Sequence, residues 1–381
     1  MLIFKHREIG NVSGNVAGNG IAQKNRTKHD GTISVRAGEN MTIKDIAKAC
    51  GVSVSTVSRV LNDRPDVSAE VRRRVLDVVE DKGYIPNNSA RDLVRSQSAA
   101  IGVIVRGMGN LFFADMLKTV AREIERSGYT MVLHFIDSDA DEVKAGAILE
   151  REKKLRGLIF LGGRFDYTPS ELTLIGVPYV CCSYTNCFGS LREEDYSSVS
   201  IDDYSTAYKA TEILIERGHR RIAAAVPSCS DRSISELRCN GYRAALRDHG
   251  IRFDSALLVE TGGCFDMTET YQAVSALMRT KAEFTALLTL SDTTAIAAMK
   301  AIEDSGRRVP DDVSVIAIDG LNVSEYVSPT LTTLVQPAEE MGRESVKILV
   351  DTLEGRGKAR HVCVETYLRE GASVKRLVSD R

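Results

Sequence analysis

The chain has 381 residues, 43% of them hydrophobic and 27% charged, a globular composition with length for two or three domains. Its apolar runs, such as Ile101 to Val105, fall far short of the roughly 20 residues of a membrane span. The N-terminus lacks the apolar core of a signal peptide, so a cytoplasmic address without membrane contact is expected. Charge divides unevenly. Residues 1–98 hold 16 Lys and Arg against 11 Asp and Glu, and the remainder 34 against 41, so the head rather than the body suits a polyanion.

Residues 1–40 are rich in Asn and Gly and show no sustained period. They offer too little to bury against the entropy of ordering, which predicts a disordered extension or a chain whose biological start is Met41. Thr42 followed by Asp45 resembles a capping box that opens a helix with Ile43, Ile46, Ala47 and Cys50 on one face. Gly51 ends that helix. Ser53 caps a second, with Val54, Val57, Val60 and Leu61 as its apolar residues. Asn62 to Val67 is a loop. Ser68 caps a third helix that places Val71, Val75, Val78 and Val79 inward and stops at Gly83. Three short helices with a Gly-containing turn between the first two is a helix-turn-helix arrangement, and a plain three-helix bundle is the alternative.

A polar stretch from Pro86 to Ser98 separates this head from text of another kind. Strand Ile101–Val105 precedes a helix over Asp115–Ser127, strand Thr130–Phe135 precedes a helix over Asp139–Arg151, and strand Leu158–Leu161 follows. The cycle resumes at Val199–Ile201, Ile222–Val226, Leu257–Val259, Ala286–Thr289 and Val313–Ile318. Such alternation predicts parallel sheets covered on both faces. About ten strands exceed one comfortable open sheet and favour two α/β halves, with ligands at the carboxyl ends of the strands. The eight Cys include no CxxC pair, and Cys181, Cys182 and Cys187 are expected as buried free thiols on and after a strand. No GxGxxG follows the first strand, no GKS/T phosphate loop or GxSxG elbow occurs, and the six His lack ligand spacing. These absences argue against an enzyme and against a metal or cofactor. A transport binding protein is the third class considered.

The stretch Thr42-Ile-Lys-Asp-Ile-Ala-Lys-Ala-Cys-Gly-Val-Ser-Val-Ser-Thr-Val-Ser-Arg-Val-Leu-Asn62 resembles the DNA-binding headpiece of the LacI/GalR family of bacterial repressors. The likeness continues through Val67-Ser-Ala-Glu-Val71, Gly83-Tyr-Ile-Pro-Asn87 and Asn110-Leu-Phe-Phe113. It runs on through Gly218-His-Arg-Arg-Ile222, Arg238-Cys-Asn-Gly-Tyr242, Val309-Pro-Asp-Asp-Val313 and Leu331-Thr-Thr-Leu-Val-Gln-Pro337, leaving only residues 1–40 outside. The resemblance implies an all-α helix-turn-helix headpiece over 41–85 and a hinge helix over 86–98. It implies an α/β periplasmic-binding-protein-like body over 99–381, made of two doubly wound parallel-sheet subdomains crossed three times by the chain. The N-subdomain is placed at about 99–199 and 336–358, the C-subdomain at about 200–335 and 359–381.

By the same resemblance, the protein is a homodimeric transcriptional regulator on a pseudo-palindromic duplex operator, controlled by a small sugar-like effector. No C-terminal heptad tail is visible, which favours a dimer over a tetramer. Val54, Ser55 and Arg59 match the positions that face base edges in the major groove, Val54 suiting a thymine methyl and Arg59 a guanine. Thr42, Ser53, Thr56, Ser58, Asn62, Ser68 and Tyr84 match phosphate-bonding positions. Asn87 to Ser96 resembles the hinge, where Ala90 permits close approach of two copies and Leu93 matches an apolar wedge in the minor groove. Asp92 departs from that pattern. At the effector, Arg238 and Asp319 match a ligand clamp, Asp202 a third polar position, and Phe112, Phe113 and Phe265 aromatic walls. Pairing of Arg238 with a local carboxylate such as Glu236 is the structural alternative. Ser291 stands where the family has Asn, and Gly320 where it often has Asp, which leaves the effector's identity open.

Overall fold

The computed structural model describes residues 42–61, 64–82, 84, 99–107, 110–164, 166–262 and 265–377. The expectations for residues 1–40, for Asn62 and for the hinge residues Asn87, Ala90, Asp92 and Leu93 lie outside these. The chain divides into two units, a head and a body.

In the head, helix α1 spans Ile43–Cys50 and opens where the Asp45 carboxylate accepts from the Thr42 N–H at 2.9 Å and its hydroxyl at 2.7 Å. Gly51, at φ 63°, takes the left-handed conformation that turns the chain out of the helix. Helix α2, Val54–Leu61, starts where Ser53 Oγ accepts from the Thr56 N–H at 3.1 Å. Helix α3, Ala69–Asp81, is capped by Ser68 Oγ, which accepts from Val71 at 3.4 Å. Helices of eight and thirteen residues are at best marginal alone in water, so the three depend on a shared core. That core is Ile46, Ala47, Cys50, Val57, Val60 and Val75, with Val71, Val78 and Val79 half-buried around it.

The body begins with strand β1, Ala100–Arg106, followed by α4 (Leu111–Arg126), β2 (Thr130–Ile136), α5 (Glu142–Lys153) and β3 (Gly157–Leu161). Helix α4 starts four residues before the expected Asp115, because Asn110 caps it by accepting from the Phe112 N–H at 3.0 Å. A short helix, α6 (Pro169–Leu172), leads to β4 (Tyr179–Cys182) and β5 (Ser198–Ser200). Then come α7 (Asp203–Glu216), β6 (Ile222–Val226), α8 (Ile234–Asp248), β7 (Leu258–Glu260), α9 (Met267–Met278) and β8 (Ala286–Thr289). The chain ends through α10 (Asp292–Asp304), β9 (Ser314–Asp319), β10 (Thr332–Val335), α11 (Ala338–Leu353), β11 (His361–Cys363) and β12 (Tyr367–Arg369).

Two six-stranded sheets result, β11-β5-β4-β3-β1-β2 and β12-β10-β9-β8-β6-β7, parallel except for the β10–β12 pair. Strands β3 and β6 are buried along their whole length, as parallel strands covered on both faces must be. Each sheet has apolar clusters on both faces, and α11 returns to pack Met341, Val346 and Leu349 against the first sheet. The chain passes between sheets after β5, after β10 and after β11. The third passage corrects the expected boundary: His361–Cys363 pairs with Ser198–Ser200 in the first sheet, so residues 359–363 do not belong with the second. Cys181 and Cys182 are buried thiols, whereas Cys187 is exposed, because it lies in the loop beyond β4. Among the described residues, no helix is long and apolar enough to cross a membrane.

Candidate nucleic-acid interface and effector crevice

The outer face of α2 carries groups that the head's core does not use. The sequence groups Val54 with the apolar face of this helix, but Val57 and Val60 fill the core while Val54 is 41% exposed. Ser55 and Arg59 are exposed beside it, and Arg59 meets the exposed Asp66 at 3.4 Å. Such an ion pair is worth about 0.2–1 kcal/mol, little enough for a phosphate or base to displace. Ser53 Oγ lies 2.7 Å from Ser55 Oγ and 2.8 Å from Thr56 Oγ1, so three hydroxyls gather at the start of α2. Ser58 is half-buried on the same helix. Thr42 and Ser68 sit at the starts of α1 and α3 as caps, and Tyr84 packs half-buried against the core.

In the body the strand order locates the second site. Both sheets carry the 2-1-3-4-5 order, which reverses between the first and third strands and opens a crevice beyond their carboxyl ends. Four residues lining a pocket there come within four positions of a strand end, Asn110 after β1, Ser183 after β4, Ser291 after β8 and Gln336 after β10, and a fifth, Ile234, opens α8. Asp319, the last residue of β9, lines it too. Phe112 and Phe113 enter from the first α/β half and Phe265 from the second. The void between them is about 20 Å³, room for a water molecule, so a sugar-sized ligand requires the halves to part. A larger depression of about 480 Å³ at Thr285, Arg307 and Lys375 lies off the amino end of β8, away from where such sheets bind ligands.

Arg238, on α8, is 1% exposed. Its Nε donates to Asp203 Oδ1 at 2.8 Å, Nη1 donates to the Leu290 carbonyl, and Asp319 Oδ1 stands 3.9 Å away. The sequence singles out Asp202 and not Asp203. The structure pairs Asp203 with Arg238, and neither Asp lines the crevice. Asp202 is an exposed cap of α7, accepting from the Ser205 N–H at 2.9 Å, while Asp203 in the first turn points inward. Glu236 is not the partner of Arg238 either, since its carboxylate accepts from the Arg232 N–H at 2.9 Å.

Asp319 takes φ 133°, a strained backbone conformation of the kind that collects at functional sites. Gly320 follows at φ 79°, and a Cβ there would lie 2.6 Å from Val335, so an Asp does not fit this turn. Asp319 Oδ1 accepts from Gln336 Nε2 at 2.7 Å. Burial pushes its carboxyl up to about 8 against the opposing Arg238 charge, with Asp292 adding to the rise. Burial likewise raises Asp203 despite Arg238. Asp292 is buried behind the clamp, accepting from the Leu321 N–H at 2.7 Å and Thr333 Oγ1 at 2.5 Å, with Arg369 3.9 Å away. Gln336 Oε1 is buried without a hydrogen-bond partner and is the crevice's spare acceptor. Ser291 caps α10, accepting from Thr294 at 3.2 Å. Among the described residues no cluster of His, Cys, Asp and Glu could hold a metal.

Comparison with known proteins gives the family. Residues 42–87 match the model for bacterial regulatory proteins of the lacI family, and residues 211–374 that for a periplasmic binding protein-like domain. The chain is similar to the HTH-type transcriptional regulator MalR of Clostridium butyricum, 38% identical over 87% of this chain and 98% of that one. It is 33% identical to the HTH-type transcriptional regulator CelR of Thermobifida fusca, over 82% of this chain and 92% of that one. Among solved structures, a CelR–cellobiose complex matches at TM-score 0.65 and 30% identity, covering 87% of this chain and 99% of that one. A lac repressor dimer bound to operator matches at TM-score 0.71 and 23% identity, over 88% and 100%, and speaks to the fold alone. Helix-turn-helix head, two-sheet body and relatives of full length agree: the chain belongs to the LacI family and is a DNA-binding transcriptional regulator.

Proposed function

We propose that this regulator is a cytoplasmic homodimeric repressor whose operator affinity is set by a neutral sugar held in the crevice. The carrying observation is electrostatic. Arg238, a cation lining the ligand space, is already paired with Asp203 at 2.8 Å, while Asp319, 3.9 Å away, holds its proton below about pH 8 and leaves that pair neutral. Asp292 and Arg369 offset one another behind them. An anionic ligand therefore finds no unspent positive charge, while a polyol finds donors and acceptors in Arg238, Asn110, Ser183 and Gln336 and ring faces in three Phe. The complex of CelR, a relative at 30% identity, with cellobiose supports the same ligand class. The crevice's ionisable groups are committed to one another, which suits binding rather than catalysis.

At the DNA, exposed Val54, Ser55 and Arg59 are read as base-contacting groups, and the hydroxyls of Thr42, Ser53, Thr56, Ser58, Ser68 and Tyr84 as phosphate contacts. Asn62, Asn87, Ala90 and Leu93 complete that assignment from the resemblance. The test is calorimetry on the full chain with cellobiose, maltose, ribose, gluconate and glucose 6-phosphate, followed by operator binding with whichever binds. A neutral sugar should bind and shift operator affinity, with acidic counterparts at least about tenfold weaker. Tighter binding of the acid or phosphate ester overturns the neutral-ligand reading.

A further inference from the structure

Between β6 and α8 the chain runs through residues 227–233, and this connection is how the second half of the body reaches across the crevice. Arg232 Nη1 lies 3.7 Å from Asp166 Oδ2 of the first half. Ile234 and Leu237, in the first turn of α8, pack against the first half's cluster around Tyr184 and Phe188. Arg238 follows immediately. The connection's other ties are hydrogen bonds: the Cys229 N–H donates to Glu260 at 2.8 Å and the Arg232 N–H to Glu236 at 2.9 Å, both exposed, Ser233 Oγ caps α8 by accepting from the Ser235 N–H at 3.0 Å, and Arg232 sits at φ 53°. One covalent bond fixes it. Cys229 is joined to Cys239, the residue after Arg238, with Cα atoms 5.6 Å apart, within the span a disulfide bridges without backbone movement.

We propose that Cys229 and Cys239 are a reversible thiol–disulfide site that regulates the effector crevice. The oxidised pair ties the closing connection to the helix that carries Arg238 and so holds it ready for ligand. Reduction frees residues 227–233 to move, and ordering them again on closure weakens ligand binding. Access fits this use. Cys239 is fully buried and Cys229 is half-buried, so an incoming thiol or disulfide meets Cys229 first. Against a small-molecule disulfide, the Cys229 thiolate attacks one sulfur and expels one thiol, leaving a mixed disulfide. The Cys239 thiolate then attacks Cys229 Sγ and expels the second thiol. Two protons and two electrons leave the protein and appear on the two released thiols.

The affinity arm of the test rests on the sugar reading above, whereas the first two readouts do not. The full chain is equilibrated in glutathione buffers from reducing to oxidising, quenched in acid and alkylated. Mass spectrometry should show a Cys229–Cys239 linked peptide forming and dissolving reversibly, with Cys50, Cys181 and Cys182 alkylated throughout after denaturation. Amide exchange over 227–234 should be about tenfold faster in the reduced protein. Cellobiose, or the neutral sugar that calorimetry selects, should bind about tenfold more tightly to the oxidised form. Cys229→Ser, which changes only the half-buried partner, should bind operator normally without sugar and lose both redox responses. A pair that stays reduced in excess glutathione disulfide, a bond that excess glutathione never opens, or equal exchange rates in the two forms overturns the proposal. If no sugar binds, the effector reading fails, while the linked peptide and the exchange rates still decide this one.

Discussion

Arg238 is a long cation in a place where such residues are seldom fully buried, and its partners explain why it can stay there. Asp203 accepts from its Nε, Leu290 offers a carbonyl, and Asp319 stands opposite. Arg238→Ala would leave Asp203 buried with no opposing charge, a change that typically costs about 3–5 kcal/mol. The variant should show a lowered urea midpoint, and adding Asp203→Asn should restore part of it; an unchanged midpoint would mean the pair adds no stability. Asp319 gives a pH prediction. Its folded pKa of about 8 lies above the ordinary 3.8, so between these values the folded chain holds a proton that the unfolded chain has released. Stability from this group is full below pH 3.8 and is lost as pH rises through about 8. The thermal midpoint should therefore fall from pH 6 to pH 9, and Asp319→Asn, which keeps an oxygen for Gln336, should make that fall shallower. An equal slope in both proteins would remove Asp319 from the account.

Helix α2 shows what eight residues can divide between core and partner. Val57 and Val60 are buried and hold the helix, and Val54, Ser55 and Arg59 are left outward. Arg59→Ala should barely move the head's stability, because the Arg59–Asp66 pair is exposed at both ends. Against a set of operators with single base-pair changes, it should lose about 1–3 kcal/mol of discrimination at one position. Fluorescence anisotropy across that set decides: a uniform loss would make Arg59 a phosphate contact. Elements of this kind are legible in the sequence because their signals are local. Asp45 three residues after Thr42, Gly51, and the runs in β1 and β3 each carry their own period or cap. What is not legible depends on tertiary partners. Nothing local distinguishes Asp202 from Asp203; only packing of α7 against Arg238 turns one inward. Asn110 reads as a loop residue until its side chain is seen to cap α4. The three residues of β11 show no period, and their sheet is set by Ser198–Ser200, more than 150 positions earlier. The Cys229–Cys239 bond joins a loop to a helix face, which spacing alone does not reveal.

At the scale of the whole chain, the body is two sheets joined by three passages, and one of the three contributes a residue to the ligand space. Gln336 is on the second passage, directly after β10, and its side chain donates to Asp319 across the strained turn at the end of β9. A ligand in the crevice can change operator affinity only by binding the body's conformations unequally. Moving a balance from 1:99 to 99:1 takes about 5.5 kcal/mol of such difference. Hydrogen bonds to charged groups contribute about 1.5–3 kcal/mol each, so a few at the crevice suffice and the loss of one should be measurable. Gln336→Ala removes the donor to Asp319 and the unpaired Oε1 together. We predict about tenfold weaker sugar binding and a smaller sugar-induced shift in operator affinity. The head is untouched by this change, so operator affinity without sugar should be unaltered. Its dependence on salt should be unaltered too, since each neutralised phosphate contributes a log-log slope of about −0.9 and the phosphate contacts proposed above are all in the head. Anisotropy titrations at four salt concentrations, with and without sugar, separate the cases. Unchanged sugar affinity would remove Gln336 from the ligand site, and a changed salt slope would mean that this passage alters the DNA contacts themselves.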